Sequence, residues 1–314
     1  MATVVVATAY GDPEVLSVID REVAAPGPGE VTIAVRASGV NPIDFKLYSG
    51  AFGTEQEKLP LPVGLELAGV VTATGEGAEG PGGTISVGDE VAAFSVPGAA
   101  ASEITVPASV VVPKPADVSF EVASAALLAG GTAVHALAVS GIKPGETLLV
   151  HGGSGAVGVA AVQLAVADGI TVLATGSAGN QELLRSLGAI PVEYGAGLLD
   201  RVRAAAPDGV DAVVDAVGTD EAIDASLELV AEPRRIVSAV AFGRADTGIT
   251  LIGGGPGADP GTDIRANAWR QLFPAIEAGT LRVPIARTYP LAQTADAHRL
   301  VATGHAGGKV VLLP

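Results

Sequence analysis

The chain has 314 residues, a hydrophobic share of 48%, no cysteine and a formal net charge of -16. The length allows two domains of ordinary size, and the lack of cysteine excludes disulfides, thiolate metal sites and a cysteine nucleophile. Because nucleic-acid binding needs clustered Lys and Arg, the acidic balance and the lack of a basic run argue against a nucleic-acid partner.

No segment is expected to cross a membrane. Apolar stretches such as 123–129 and 158–167 are too short or too rich in Gly and Ala to span a bilayer. The first residues, MATVVVATAYGDPEV, have no basic segment before their apolar run, so we expect no signal peptide and a cytoplasmic protein.

Residues 1–119 are predicted to form a compact, barrel-like β domain. Short runs with β character are separated there by clusters of Gly and Pro, which is typical of strands joined by tight turns. The predicted strands are 3–7, 31–37, 69–74, 90–93, 101–106 and 109–113.

From residue 120 the pattern changes to an alternation of strands and helices. This alternation predicts a parallel, doubly wound sheet with right-handed crossovers. The predicted strands are 147–151, 171–174, 190–192, 212–215, 235–240 and 248–252, and the predicted helices are 157–167, 180–187, 198–205, 223–229 and 263–278. The tail from Val283 returns to strand character and is expected to rejoin the first domain. The domains are therefore 1–119 with 283–314, and 120–282.

A glycine-rich turn, HGGSGAVG at residues 151–158, follows the strand 147–151 and precedes an apolar helix. Glycines at this junction permit a tight turn, let backbone N–H groups approach a diphosphate and allow the helix to pack closely on the sheet. The context of strand, turn and helix predicts a dinucleotide site. His151 is expected to touch the dinucleotide only through its backbone.

The next strand indicates which nicotinamide cofactor is used. An acidic residue at its end would accept hydrogen bonds from the ribose 2′-OH of NAD and repel a 2′-phosphate, but residues 171–180 contain no acid. Ser177, Asn180 and Tyr194 offer neutral donors, which favours NADPH. Ser177 and Asn180 are equally interpreted as an N-cap pair for the following helix, and both roles can coexist.

Further motifs occur along the full length of the chain. They are residues 11–16 (GDPEVL), 39–44 (GVNPID), 62–69 (PVGLELAG), 87–91 (VGDEV), 131–133 (GTA), 186–189 (SLGA), 210–215 (VDAVVD) and 308–310 (GKV). With the glycine-rich turn, they resemble the zinc-independent quinone oxidoreductases of the medium-chain dehydrogenase/reductase superfamily, which include zeta-crystallin and are similar to polyketide enoyl reductase domains. The resemblance implies an α/β fold with a GroES-like β-barrel domain plus a Rossmann domain, and a homodimer.

The resemblance also implies a set of cofactor contacts. Asn41 and Thr132 would lie by the nicotinamide ribose and carboxamide. The remaining contacts would be Ser154, Gly155, Ala156 and Val157 at the diphosphate, Ser177, Asn180 and Tyr194 at the 2′-phosphate, and Thr175, Phe242, Gly307 and Lys309 along the rest of the groove. Many relatives carry Lys or Arg where Asn180 stands.

No metal is implied. Zinc-dependent relatives carry a Cys and a His ligand at positions that match residues 40–44 and Leu65, whereas this chain has no cysteine and Leu65 cannot coordinate. Without metal, the simplest chemistry is hydride transfer from nicotinamide C4 to a quinone or to the β-carbon of an enone, followed by protonation. A ketone would need an electrophile to stabilise the alkoxide. We expect a small apolar carbonyl or quinone substrate; a non-catalytic NADPH-binding protein like zeta-crystallin is the alternative.

Three residues near the motif 39–44 are candidates for catalysis: Asn41, Asp44 and Tyr48. The Tyr48 hydroxyl could donate a proton or bond the substrate oxygen, or its ring could line the pocket, since an ordinary tyrosine is a weak acid. Asp44 could orient a donor or accept a proton, or it could cap the following helix turn.

Overall fold

The computed structural model describes residues 1–314 and contains eighteen strands and nine α-helices. The strands are β1 (Ala2–Ala7), β2 (Leu16–Arg21), β3 (Glu30–Val40), β4 (Leu61–Pro62), β5 (Glu66–Thr74), β6 (Glu79–Gly80), β7 (Gly83–Thr84), β8 (Glu90–Phe94), β9 (Glu103–Pro107), β10 (Val111–Pro113), β11 (Thr147–His151), β12 (Thr171–Gly176), β13 (Ile190–Glu193), β14 (Ala212–Asp215), β15 (Ile236–Ser238), β16 (Thr250–Leu251), β17 (Ile285–Pro290) and β18 (Lys309–Leu313). The helices are α1 (Pro42–Tyr48), α2 (Phe120–Ser140), α3 (Ala156–Ala167), α4 (Gln181–Ser186), α5 (Leu198–Ala205), α6 (Asp220–Leu229), α7 (Thr262–Asn267), α8 (Trp269–Glu277) and α9 (Thr294–Ala302).

The chain divides into two compact units, Met1–Leu128 with Val283–Pro314, and Ala129–Arg282. The first boundary lies inside α2, later than the break after residue 119 that the sequence predicts, whereas the second lies before Val283. A boundary within a continuous helix does not interrupt the secondary structure, and Gly130 and Gly131, which closely follow it, are themselves helical.

The first unit is built on a seven-stranded sheet with the order β10-β8-β5-β3-β18-β17, in which β9 also pairs with β3. The long strand β3 has two antiparallel partners in succession, β9 along residues 30–34 and β18 along residues 38–40. The strand β5 pairs with the other edge of β3 and begins opposite its end, with Gly39 facing Glu66. The end of β3 and the starts of β5 and β18 therefore meet.

The second unit contains a six-stranded parallel sheet with the order β13-β12-β11-β14-β15-β16. Counted from β11, this is the order 3-2-1-4-5-6 of doubly wound dinucleotide-binding sheets, which place ligands at the carboxyl ends of the strands where the order reverses. Its core is aliphatic and includes Leu149, Leu173, Val213 and Ile236, each 0% exposed. The predicted fold class is confirmed.

Some predicted elements differ from the structure. The predicted helix 263–278 is two helices, α7 and α8. Asn267, the last residue of α7, donates from its side chain to the carbonyl of Asp263 at 2.9 Å, a local bond that competes with the regular helix ladder. The strand β2 and the tail helix α9 were not predicted, and β2 carries exposed Val18 and Ile19 where an alternating buried pattern would be expected.

The expectation that no segment is long enough to cross a membrane needs correction. By length and composition, the 21-residue helix α2 could do so. However, 67% of its most apolar window is buried inside the protein, which is typical of the core helix of a globular fold.

Candidate functional site

The glycine-rich turn lies where β11 ends and α3 begins, at the carboxyl edge of the parallel sheet. Gly152 has a φ of +74°, a conformation that favours glycine. A Cβ at Gly158 would lie 2.2 Å from the carbonyl oxygen of Gly152, and one at Gly153 would lie 2.8 Å from the Cβ of Ala174. Only glycine fits these two positions, so the start of α3 packs directly on the turn.

The turn presents hydrogen-bond donors that suit a diphosphate. The first amides of α3, at Ala156, Val157 and Gly158, have no acceptor within the helix, and the helix dipole favours an anion at this end. Asn180 donates to the Ser154 hydroxyl at 3.0 Å, which leaves the hydrogen of that hydroxyl for another acceptor. The predicted diphosphate residues therefore lie together, and their donors and glycine cradle fit the group.

Neutral groups follow the ends of β12 and β13, where the 2′-phosphate residues are predicted. Ser177 is half-buried directly after β12, and Tyr194 is 52% exposed directly after β13. The sequence did not point to Arg201, whose guanidinium donates to the carbonyls of Glu193, Gly195 and Ala196, each at 2.8 Å. Arg201 therefore fixes the segment that carries Tyr194 and places a positive charge there.

Two predicted contacts do not face the surface. Thr175 is 2% exposed, and its hydroxyl lies beneath the turn, where it accepts the Gly152 N–H at 3.1 Å. The same hydroxyl lies 3.4 Å from His151 Nδ1, so the Thr175 side chain supports the turn from below. Its predicted contact with the cofactor stays a prediction. Thr132 is 6% exposed in α2.

Asp215, at the end of β14, was not predicted as a site residue. Its carboxylate accepts the N–H groups of Val217 and Gly218 at 3.0–3.1 Å and the Ser238 hydroxyl at 2.6 Å. These bonds tie the loop after β14 to the end of β15. The predicted contact Phe242 follows β15, is 39% exposed and lies against Gly255.

In the first unit, three polar side chains meet in a buried cluster formed by Asn41, Glu66 and Lys309, which are 2%, 0% and 4% exposed. The Lys309 Nζ lies 2.8 Å from Glu66 Oε1 and also donates to Asn41 Oδ1, while Asn41 Nδ2 donates to Glu66 Oε1 at 2.8 Å. The backbone N–H of Leu128 donates to Glu66 Oε2 at 2.9 Å. Gly39 makes room, since a Cβ there would lie 2.6 Å from Glu66 Oε1.

This cluster gives Lys309 a role within the first unit. Its buried ammonium is bonded to Glu66 and Asn41, so Lys309 positions Asn41. The contact of Lys309 with the cofactor stays a prediction. Glu66 was missed, although an acid within the motif 62–69 at the start of an apolar strand was a usable signal. Gly307 is exposed in the preceding turn, with a φ of +76°.

Asp44 caps the start of α1. Its Oδ2 accepts the backbone N–H of Asn41 at 2.7 Å, while its Oδ1 is buried without a partner. Burial raises the pKa of Asp44 to about 7, with a smaller contribution from Glu66, against the opposing effects of the Asn41 N–H and of Lys309. Asp44 is thus both a helix cap and an acid that titrates near neutral pH.

Tyr48, predicted either to donate a proton or to line the pocket, lies in the core, and its catalytic role stays a prediction. It is 2% exposed within an apolar cluster, and its hydroxyl lies 2.8 Å from Nδ1 of His298, over which its ring is stacked. Burial raises the pKa of Tyr48 further, and burial lowers that of His298 to about 4. Both groups are neutral members of the core.

The structure contains no group of three or more His, Cys, Asp or Glu side chains arranged to hold a metal ion.

Residues 27–116 match the alcohol dehydrogenase GroES-like domain family, and residues 187–312 match the zinc-binding dehydrogenase family. The match to the zinc-binding dehydrogenase family covers part of the doubly wound unit and most of the tail. No cysteine, and hence no thiolate ligand for zinc, occurs among the matched residues.

The chain is similar to known oxidoreductases over nearly its whole length. It is 35% identical over 328 residues to a quinone oxidoreductase of Pseudomonas aeruginosa, covering 98% of each chain. It is 32% identical over 323 residues to a 2-methylene-furan-3-one reductase of Solanum lycopersicum, covering 98% of this chain and 78% of that one. The structure of Escherichia coli quinone oxidoreductase complexed with NADPH matches with a TM-score of 0.85 and 28% identity, over 99% of this chain and 100% of that one.

Another similarity is partial. The chain is 38% identical over 200 residues to the synaptic vesicle membrane protein VAT-1 homolog of Mus musculus, which covers 62% of this chain and about half, 48%, of that protein.

Proposed function

Because the chain belongs to the zinc-independent quinone oxidoreductase family of the medium-chain dehydrogenases/reductases, we propose that it is an NADPH-dependent oxidoreductase that acts on quinones or activated alkenes. The observation that carries the proposal is the glycine-lined turn at residues 151–158, with Ser177 instead of an acid at the end of the next strand. NADPH would supply the hydride for a quinone or for the β-carbon of an enone.

Within the second unit, the chain binds and orients the cofactor. The amides at the start of α3 and the Ser154 hydroxyl hold the diphosphate, because they are unpaired donors at a positive helix terminus. Ser177 and Asn180 accommodate the 2′-phosphate without charge repulsion. The nearby guanidinium of Arg201 adds attraction, although its N–H groups are bound to backbone carbonyls. The Escherichia coli relative, solved with NADPH, supports this choice of cofactor.

Within the first unit, the chain orients Asn41 and holds a proton. Lys309 and Glu66 fix both ends of the Asn41 amide, so its orientation is set before any ligand arrives. Reduction of an enone or a quinone also consumes a proton. Asp44 can hold a proton at its unpartnered Oδ1, because its pKa is about 7. Since Asp44 is 3% exposed, it would act on a substrate only through another group.

Both substrate classes have a relative that acts on them by name, the quinone oxidoreductase and the 2-methylene-furan-3-one reductase. Turnover measured on a panel of quinones and enones distinguishes the two substrate classes. An enone substrate should yield the saturated ketone with no free-radical signal, whereas a radical detected by electron paramagnetic resonance would favour the quinone class. The homodimer stays a prediction, and light scattering, which measures the molar mass in solution, tests it.

The test of the cofactor site compares dissociation constants for NADPH and NADH. We expect NADPH to bind more tightly, and Ser177→Asp to narrow or reverse the ratio because a carboxylate there repels the 2′-phosphate. Ser177→Ala is the matched control, since it removes the hydroxyl without adding charge, and should change the ratio less. An unchanged ratio in Ser177→Asp would show that the 2′-phosphate binds elsewhere.

A further inference from the structure

A chain of hydrogen bonds runs beneath the glycine-rich turn. The Gly152 N–H reaches Thr175 Oγ1 at 3.1 Å, and Thr175 Oγ1 lies 3.4 Å from His151 Nδ1. On the other side of the ring, His151 Nε2 lies 3.1 Å from Ser226 Oγ, which donates to the carbonyl of Ala222 at 2.6 Å. His151, Thr175 and Ser226 are all buried, at 1%, 2% and 0% exposure.

The donors of this chain can be assigned one by one. Ser226 has a single hydroxyl hydrogen, which it gives to Ala222, so Ser226 Oγ must accept from His151. His151 Nε2 therefore carries the hydrogen, and in the neutral ring Nδ1 is a bare acceptor. The Thr175 hydroxyl donates to Nδ1, which leaves its oxygen to accept the Gly152 N–H. The other neutral tautomer would set two lone pairs against each other at Ser226.

The surroundings keep His151 neutral. Burial lowers its pKa to about 4, although Asp215 on the adjacent β14 and Glu221 on α6 act to raise it. Asp215 cannot act as a hydrogen-bond partner for the ring, because its carboxylate is taken up by Val217, Gly218 and Ser238. Protonation of Nδ1 would remove the acceptor of Thr175 and leave a buried hydroxyl hydrogen without a partner.

The chain of bonds ends at the backbone that forms the cofactor turn. Gly152 is its first residue, and the next amide, of Gly153, donates to the backbone carbonyl of Thr175 at 2.9 Å. Thr175 thus holds two successive amides of the turn, one with its side chain and one with its backbone. Gly158 packs so closely on Gly152 that a Cβ at Gly158 would lie 2.2 Å from the Gly152 carbonyl oxygen, which places the start of α3 directly against the turn.

We propose that His151 is a positioning residue for the dinucleotide, which holds the glycine-rich turn in its binding conformation through Thr175. This inference rests on the proposed function, because it takes the turn to be the diphosphate site. His151 acts from behind the turn through its side chain, beyond the backbone contact expected from the sequence.

The first test measures NADPH binding by fluorescence titration. Thr175→Val keeps the shape but removes the hydroxyl, and should raise the dissociation constant roughly tenfold, whereas Thr175→Ser should stay within about twofold of the wild type. His151→Phe should weaken binding similarly, and the double variant with Thr175→Val should be no weaker than about the poorer single variant, because both break one chain. Val172→Ala in the same strand is the control for general destabilisation and should leave binding unchanged.

Full additivity in the double variant, or equal losses in Thr175→Val and Val172→Ala, would overturn the proposal. The second test needs no cofactor. In protein labelled with ¹⁵N histidine and glycine, nuclear magnetic resonance should show the neutral Nε2–H tautomer at His151. The Gly152 amide resonance should move more in Thr175→Val than in Val172→Ala. The Nδ1–H tautomer or a charged ring would refute the bond assignment.

The two tests separate this inference from the proposed function. If the wild type does not bind NADPH, the proposed function fails and the positioning role fails with it, while the resonance data still decide whether the hydrogen-bonded chain exists. If NADPH binds and Thr175→Val binds it equally well, the proposed function stands and the role of His151 is wrong.

Discussion

Replacement of Lys309 tests the buried cluster of the first unit most sharply. Lys309→Met keeps most of the length and apolar stem of the side chain but removes the ammonium 2.8 Å from Glu66 Oε1. Glu66 is 0% exposed and would retain only the Asn41 amide and the Leu128 N–H as donors. Loss of one partner of a buried ion pair costs about 3–5 kcal/mol, because the other charge stays buried without compensation.

The free energy of unfolding in urea, followed by circular dichroism, measures this cost. The double variant Lys309→Met with Glu66→Gln should recover more than half of the loss, since the remaining amide is uncharged. Lys58→Met is the matched control, because Lys58 pairs with Glu55 at 3.2 Å in an exposed pair, and it should leave stability unchanged. A Lys309→Met loss no larger than that of the control would refute the assignment of a buried charge pair that fixes Asn41.

Three further outcomes follow from the structure. Asp44→Asn removes an acid whose pKa is raised to about 7. The stability contributed by protonated Asp44 is present in the wild type below about pH 4 and lost as the pH rises through 7, so the unfolding free energy of the variant relative to wild type should increase by up to about 1.4 kcal/mol per pH unit over that window in urea titrations. A difference that does not change with pH would contradict the raised pKa. Tyr48→Phe should lower stability by about 1–3 kcal/mol, because it leaves His298 Nδ1 buried without its partner, and turnover should stay within twofold. A loss of turnover without a loss of stability would instead support Tyr48 as a proton donor. Gly158→Ala should weaken NADPH binding at least tenfold, because its Cβ meets backbone at 2.2 Å, whereas Gly254→Ala, with open space around it, should bind normally.

Local sequence signals predicted the cofactor half of the molecule well. The bounds of β11, β14 and α5 agree with prediction, because short β-branched runs and an amphipathic helix are each bounded by Gly or polar residues. The glycine-rich turn was found for the same reason, since its conformation and close contacts depend on residues within a few positions of each other.

Long-range pairing explains what the sequence missed. Lys309 contacts Glu66 only because β18 and β5 lie on either side of β3, which brings together residues 243 positions apart. Tyr48 is buried because α9 brings His298, 250 positions away, onto its hydroxyl. No local pattern encodes such partners, so neither the buried ion pair of Lys309 nor the contact of Tyr48 with His298 was predicted.

The measurement that tests the account most directly is the loss of reduced-nicotinamide absorbance when the protein is mixed with NADPH and a quinone or an enone, with the reduced product counted alongside. We expect NADPH to be consumed in step with the product, more efficiently than NADH, and at least tenfold more slowly in Gly158→Ala at limiting cofactor. Binding of NADPH without consumption across both panels would contradict the proposed activity and indicate a binding protein.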